Sequence, residues 1–188
     1  MEELTGFRTT FTTRDGRDLV VRAIEPADMT DVYTTMSEPS VVFGTFQVPY
    51  TSHETRNRTW PDRTFGPNNH FLGAELDGKI VGNAGLHLTD GRPRGRHVAG
   101  LGMSVSTAYQ GLGIGTALMS ALVELADDWL QIRRIELSVN TDNEAGIALY
   151  TKHGFEIEGT QREVNFRKGK YVDCYSMARL SPRRGPAS

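Results

Sequence analysis

The sequence predicts a mixed α/β (α+β) fold in which antiparallel hairpins surround one strand–helix–strand crossover. Three observations lead there. β-rich runs flank Asp15-Gly16, Asp77-Gly78 and Lys168-Gly169, and an Asp-Gly between such runs is a strong hairpin signal. Ile114, Leu118, Leu122, Leu125 and Trp129 recur at spacings of 4, 4, 3 and 4, which marks one face of a helix. Strand-like segments at 98–105 and 134–139 lie on either side of that helix. No internal repeat or linker divides the 188 residues, so one domain is expected over 1–180, followed by a disordered tail at 181–188.

The elements follow in order. Phe7 to Thr13 and Asp18 to Ile24 form the first hairpin. Pro26 suits a first helical position, which predicts a helix over about 26–36. Residues 37–51 hold Pro39, Gly44 and Pro49 among aromatics and read as irregular. Ser52 can cap a second helix running to about Phe65, with Pro61 able to split it. His70 to Glu75 and Lys79 to Leu88 form a second hairpin, and 90–95 is a loop. In the 134–139 strand Ile135, Leu137 and Val139 alternate with polar residues. Thr141 and Glu144 have capping-box spacing, and the helix they start should end before Gly154. Phe155 to Phe166 and Lys170 to Arg179 form the last hairpin.

Composition excludes several classes of function. The net charge is −2, which gives no basic surface for nucleic acid. The N-terminus lacks a signal-peptide pattern, and no run approaches the ~18 apolar residues of a membrane span. A cytoplasmic protein without membrane or nucleic-acid partners is expected. Cys174 is the single cysteine, so no internal disulfide can form, and it reads as a buried strand residue. The five histidines show no metal-ligand spacing. Arg133-Arg134 and Arg183-Arg184 read as solvated charge. Glycine is in excess, and 12 of the 20 fall between Gly66 and Gly115.

Three of those glycines lie in one turn. Gln110-Gly111-Leu112-Gly113-Ile114-Gly115-Thr116 joins the 98–105 strand to the amphipathic helix. Glycines there let a ligand approach the backbone, and the helix N-terminus offers unpaired N–H groups, which favours a phosphate or pyrophosphate. A P-loop would need a lysine before Thr116. A dinucleotide fold would need Gly-x-Gly-x-x-Gly early in a parallel series, whereas this turn is Gly-x-Gly-x-Gly and late.

Gln110-x-x-Gly113-x-Gly115 resembles the Gln/Arg-x-x-Gly-x-Gly/Ala signature of the GNAT superfamily, the acyl-CoA N-acyltransferases. Asn143, Ala148, Tyr150, Gly154 and Phe155 are similar to that family's following helix, with Ala148-Leu-Tyr150 one residue shorter than its pattern. The resemblance covers about 18–180. It implies a central, mostly antiparallel twisted sheet flanked by helices, with a V-shaped splay between two parallel strands. The strand at 7–13 would be an extra N-terminal hairpin strand.

It also implies acetyl-CoA as co-substrate, with no metal. The amides of Gly111, Leu112, Gly113, Ile114, Gly115 and Thr116, with Gln110, would hold the pyrophosphate. Met103 and Val105 would meet the pantetheine arm through their backbones, and Asn143 would contact the pantetheine or pyrophosphate. Tyr150 would lie near the sulfur, where a phenol can protonate or hydrogen-bond a leaving thiolate. The 98–105 strand has no acidic residue, which leaves the base open among His97, His87, Glu75 and a water chain.

Phe43, Phe46, Gln47, Tyr50 and His97 are acceptor-side candidates. Phe46-Gln-Val-Pro49 and the 134–143, 154–160 and 171–179 stretches resemble the bacterial L-amino-acid N-acetyltransferases within the superfamily. The expected reaction is acetylation of a small primary amine, most simply an amino acid's α-amine, by direct attack in a ternary complex. The alternatives are a protein N-terminus or an antibiotic amine as acceptor, or a non-catalytic acyl-CoA sensor. The family resemblance also admits a homodimer.

Overall fold

The computed structural model describes residues 7–60, 64–88 and 93–182. Its strands are β1 (Arg8–Thr12), β2 (Asp18–Ala23), β3 (Asn69–Leu76), β4 (Lys79–Leu88), β5 (Val98–Val105), β6 (Arg134–Asn140), β7 (Glu156–Arg167) and β8 (Lys170–Leu180). Its helices are α1 (Met29–Ser37), α2 (Pro39–Gly44), α3 (His53–Thr59), α4 (Ile114–Glu124) and α5 (Glu144–Lys152). The strands follow the order β1-β2-β3-β4-β5-β6-β8-β7. The β1–β2, β2–β3, β3–β4, β6–β8 and β7–β8 pairs are antiparallel, and β5–β6 is parallel. The parallel register covers Val98–Gly100 against Arg134–Glu136 among the described residues, although β5 runs on to Val105 and β6 to Asn140.

The described residues fall into two compact units, within Met1–His87 with Gly102–Leu122 and within Leu88–Leu101 with Val123–Ser188. In the first, Ile24, Met29, Val32, Tyr33, Met36 and Ile80 form a buried cluster, with Trp60 and Phe71 packed on it. Two glycines of β4 serve this packing by their lack of a side chain. A Cβ at Gly85 would sit 2.7 Å from the Phe71 ring, and one at Gly82 would press on Ile114 and Leu118 at 3.2 and 3.3 Å. Gly82 thus lets the start of α4 lie close against β4. In the second unit Ile135, Leu137 and Val139 are all buried, as the period of two predicts. Cys174 is buried there too, and its thiol donates to Asn140 Oδ1 at 3.3 Å.

Three local expectations are corrected. Residues 39–44, read as irregular, form α2. Pro39 is its first residue and Glu38 before it is extended, which is the arrangement proline favours. α3 ends at Thr59, and helical backbone is found again at 64–65, where Thr64 N–H donates to the Trp60 carbonyl at 2.9 Å, in keeping with the expected reach to about Phe65. Pro61 and the tail beyond 182 lie outside the described residues. The helix after the glycine turn passes into a π turn over Leu125–Trp129, closed by Leu130 N–H donating to the Leu125 carbonyl at 3.1 Å. The extra residue in that turn breaks the predicted face, and Trp129 is 68% exposed. Finally, α5 is capped by Asn143, not by a Thr141–Glu144 box. Asn143 Oδ1 accepts from Gly146 N–H at 3.0 Å, while Thr141 N–H is drawn to the Asp173 carbonyl of β8.

Candidate active site

The glycine turn is held by three neighbours within its own unit. Ser106 N–H donates to the Val81 carbonyl of β4 at 2.9 Å. Glu38, between α1 and α2, accepts from Thr107 N–H at 2.7 Å and from its hydroxyl at 2.5 Å. Burial pushes the Glu38 carboxyl up, but the Thr107 hydrogen bonds outweigh it and hold the group below its ordinary value. The third neighbour is the β1–β2 turn. Arg14 N–H donates to the Leu112 carbonyl at 3.0 Å, and its guanidinium donates to the Gly111 carbonyl at 3.1 Å. Arg17 from the same turn lies over the Tyr109 ring, 5.9 Å from its centroid. Sequence reasoning treated this hairpin as a mere addition and missed its grip on the turn.

Inside the turn, Gly111 and Gly113 have φ of +78° and +94°. L-residues rarely adopt such angles, so glycine is required at both. A Cβ at either would meet nothing within 4 Å, so the backbone here faces open space. Gln110 donates from Nε2 to the Val105 carbonyl at 3.1 Å, tying the turn back to the end of β5. Ile114 starts α4, followed by Gly115 and Thr116 in its first turn. Ser104 on β5 accepts from buried Asn83 Nδ2 on β4 at 2.9 Å, which fixes the strand between Met103 and Val105. The turn, Met103 and Val105 therefore form one continuous backbone track.

The acceptor-side candidates behave differently from one another. Phe43, Phe46 and Tyr50 are exposed. Tyr50 also carries a φ of 61°, a left-handed backbone that a bulky residue adopts only under constraint. Gln47 is half-buried, and its Oε1 accepts from Arg56 Nη1 on α3 at 3.0 Å. Arg56 itself is 2% exposed. The sequence reading did not single it out, yet Trp60 four residues on faces the core cluster, so the i, i+4 spacing marked Arg56 as inward-facing.

In the second unit Asn143 and Tyr150 share α5. Tyr150 is 9% exposed, its ring centroid lies 5.9 Å from that of Phe155, and burial pushes its phenol up to about 12. His97 is exposed at the foot of β5, and its carbonyl accepts the amides of Arg133 and Arg134. Arg134 pairs with Glu136 and Glu158, whereas Arg133 encloses an unpartnered Nη1, which departs from the solvated reading of this pair. Of the candidate bases, Glu75 is taken. It accepts from Arg22 at 2.5 Å, and Arg22 also pairs with Asp28 at 2.6 Å, all three at the β2–β3 face. His87 packs on Phe71 and bonds Asn69 through Nδ1 at 2.9 Å. Among the described residues no group of three or more His, Cys, Asp or Glu could hold a metal ion, and no helix is long and apolar enough to cross a membrane.

A glycine turn between a strand and a helix, in a sheet with one short parallel pair, defines a recognisable class of fold. Residues 33–155 match the Acetyltransferase (GNAT) family, and the chain belongs to it and is an N-acetyltransferase. An L-amino acid N-acetyltransferase of Escherichia coli is 38% identical, with the match covering 87% of this chain and 98% of that relative. An N-alpha-acetyltransferase of Mycobacterium tuberculosis is 35% identical over 65% of this chain and 76% of its own length. Among solved structures, a GNAT-family acetyltransferase of Streptococcus pneumoniae superposes with a TM-score of 0.74 at 30% identity, covering 86% of this chain and 98% of that one.

Proposed function

We propose that residues 1–180 act as one catalytic domain that transfers the acetyl group of acetyl-CoA to the α-amine of a free amino acid, by direct attack in a ternary complex. The observation that carries the acceptor class is the 38% identity to the E. coli amino-acid enzyme over 98% of its length. The fit of the co-substrate rests on Gly111 and Gly113, whose positive φ and open Cβ positions suit a close-lying phosphate. In this reading the amides of Gly111 to Thr116, with Gln110, hold the pyrophosphate, and the backbones of Met103 and Val105 hold the pantetheine arm. Asn143 orders the start of α5 on the pantetheine side. When bound, acetyl-CoA supplies an acetyl thioester whose acyl carbon takes the amine and whose sulfur leaves as a thiolate.

Tyr150 keeps its proton at neutral pH, because its phenol is pushed up to about 12. The protonated phenol can therefore protonate the departing thiolate or stabilise it as a hydrogen-bond donor. With Glu75 committed to Arg22, the amine proton leaves through His97, His87 or ordered water.

The M. tuberculosis relative favours a second acceptor, the α-amine of a protein N-terminus. Thiol release from acetyl-CoA over amino acids, short peptides, polyamines and aminoglycosides tests both. The proposal requires turnover of free amino acids above all others; peptide-only turnover would select the second reading. Acetyl-CoA binding with no turnover of any amine would leave a sensor. The bacterial relatives and the single cysteine support a cytoplasmic bacterial enzyme, alone or as a homodimer.

A further inference from the structure

Arg56 is the largest side chain to be almost wholly enclosed, at 2% exposure. Arginine is rarely buried without a carboxylate, since an unpaired charge in low dielectric is costly. Yet among the described residues Arg56 makes no ion pair, and its one hydrogen bond is Nη1 to the neutral amide oxygen of Gln47 at 3.0 Å. Its Nε proton is buried with no acceptor. The guanidinium edge bearing Nε is one of the two that can make paired parallel bonds to a carboxylate.

A second orphan stands beside it. Tyr33 of α1 is 1% exposed, and its hydroxyl is buried without a partner. Its ring packs against His53 and Trp60, which flank Arg56 along the chain at centroid distances of 5.9 and 6.4 Å. Arg56 acts electrostatically on the Tyr33 hydroxyl, so the two groups share one environment. Native interiors rarely leave one such polar group unsatisfied, and here a cation and a phenol donor are left together. The group that satisfies both is an anion with two acceptor oxygens.

The place of this pair in the chain decides which anion. Gln47, the present acceptor, belongs to the segment that carries Phe46 and Tyr50, and Tyr50 is held at a φ of 61°. We propose that Arg56 and Tyr33 form the subsite for the α-carboxylate of the amino-acid acceptor, which replaces the Gln47 amide on the guanidinium. The inference rests on the amino-acid reading above and makes Arg56 and Tyr33 specificity-determining residues, not catalytic ones.

The test compares an accepted amino acid with its carboxamide, which keeps the amine and side chain but loses the charge. The wild-type enzyme should prefer the acid by roughly 10- to 100-fold in kcat/KM, the range of a charged hydrogen-bonded contact. Arg56→Lys and Tyr33→Phe should each reduce that preference at least threefold, mainly through KM. Tyr33→Phe deletes only an unpartnered oxygen, so it folds even if Arg56→Lys does not. If amino acids are turned over but Tyr33→Phe leaves the acid-to-carboxamide ratio at its wild-type value, this subsite is wrong and the acceptor reading stands. If the best acceptor has no carboxylate at all, the acceptor reading fails and the subsite fails with it.

Discussion

Replacing Gly113 with alanine isolates what the glycine turn contributes. Gly113 sits at a φ of +94°, outside the comfortable range of any L-residue, and an alanine held there costs about 1–3 kcal/mol. No atom lies within 4 Å of the new methyl, so steric conflict adds nothing to that figure. The strain can be met in two ways. The turn keeps its shape and the protein loses stability, which at about 2 kcal/mol lowers Tm by roughly 4–8 °C for a chain of this size. Alternatively the turn relaxes, Tm is preserved, and the amides no longer converge on the pyrophosphate. Acetyl-CoA affinity falls in both cases, because in the first the methyl occupies the open space assigned to the phosphate. A 10- to 30-fold rise in Kd by calorimetry is expected, about 2 kcal/mol in binding terms. Gly169→Ala is the control: it has a φ of +76° and equally open surroundings at the β7–β8 turn, and should shift Tm alone. A Kd for Gly113→Ala within twofold of wild type would refute the assignment of this turn to the pyrophosphate.

Four further outcomes are expected. Tyr150→Phe should lower kcat by about 10²-fold while acetyl-CoA Kd stays within twofold, and a kcat unchanged under chemistry-limited conditions would remove Tyr150 from the mechanism. Because burial raises its phenol to about 12, the wild-type kcat should show no alkaline loss from Tyr150 until pH nears that value, and folding stability tied to the neutral phenol should fade between about pH 10 and 12. Asp28→Asn should cost about 1–3 kcal/mol at pH 7, since it takes one carboxylate from the half-enclosed Arg22. The Arg22 guanidinium lowers the Asp28 carboxyl, so this contribution is complete above its unfolded value near 4 and disappears in stronger acid, where urea midpoints of wild type and variant should converge. Gly85→Ala drives a methyl to 2.7 Å from the Phe71 ring and should destabilise by about 1–3 kcal/mol; an unchanged Tm would mean that Phe71 moves freely.

Features set by local chemistry were legible in the sequence, and features set by distant partners were not. Ile135, Leu137 and Val139 announce a strand with one buried face because alternation is a property of the strand itself. Gly111 and Gly113 announce a tight turn because side-chain-bearing residues rarely adopt φ of +78° and +94°. The cap of α5 lies two residues beyond the expected one because Thr141 has capping-box spacing to Glu144 while Asn143 is itself a strong cap. The choice is made by Asp173, which bonds the Thr141 amide from a strand thirty residues on. Pro39 was ambiguous for a similar reason, since proline both breaks helices and begins them. Trp129 followed the helical period, but the π turn inserted before it rotates the face away. Arg56 was passed over as one of the two charges in Thr55-Arg-Asn-Arg-Thr59, and the packing of Tyr33 on Trp60, four residues on, shows which of the two arginines is enclosed.

The bond between Arg14 and the glycine turn joins positions 97 residues apart. Holding a loop by such a contact moves its ordering cost from the moment of binding to the moment of folding. A mobile turn would lose about 1–2 kcal/mol of entropy per residue as it closed on a phosphate. One already fixed by the β1–β2 hairpin would lose little, so under the proposed assignment capture of the nucleotide would be set by encounter and charge instead of by rearrangement. The β1–β2 hairpin would thereby govern how fast the co-substrate is captured.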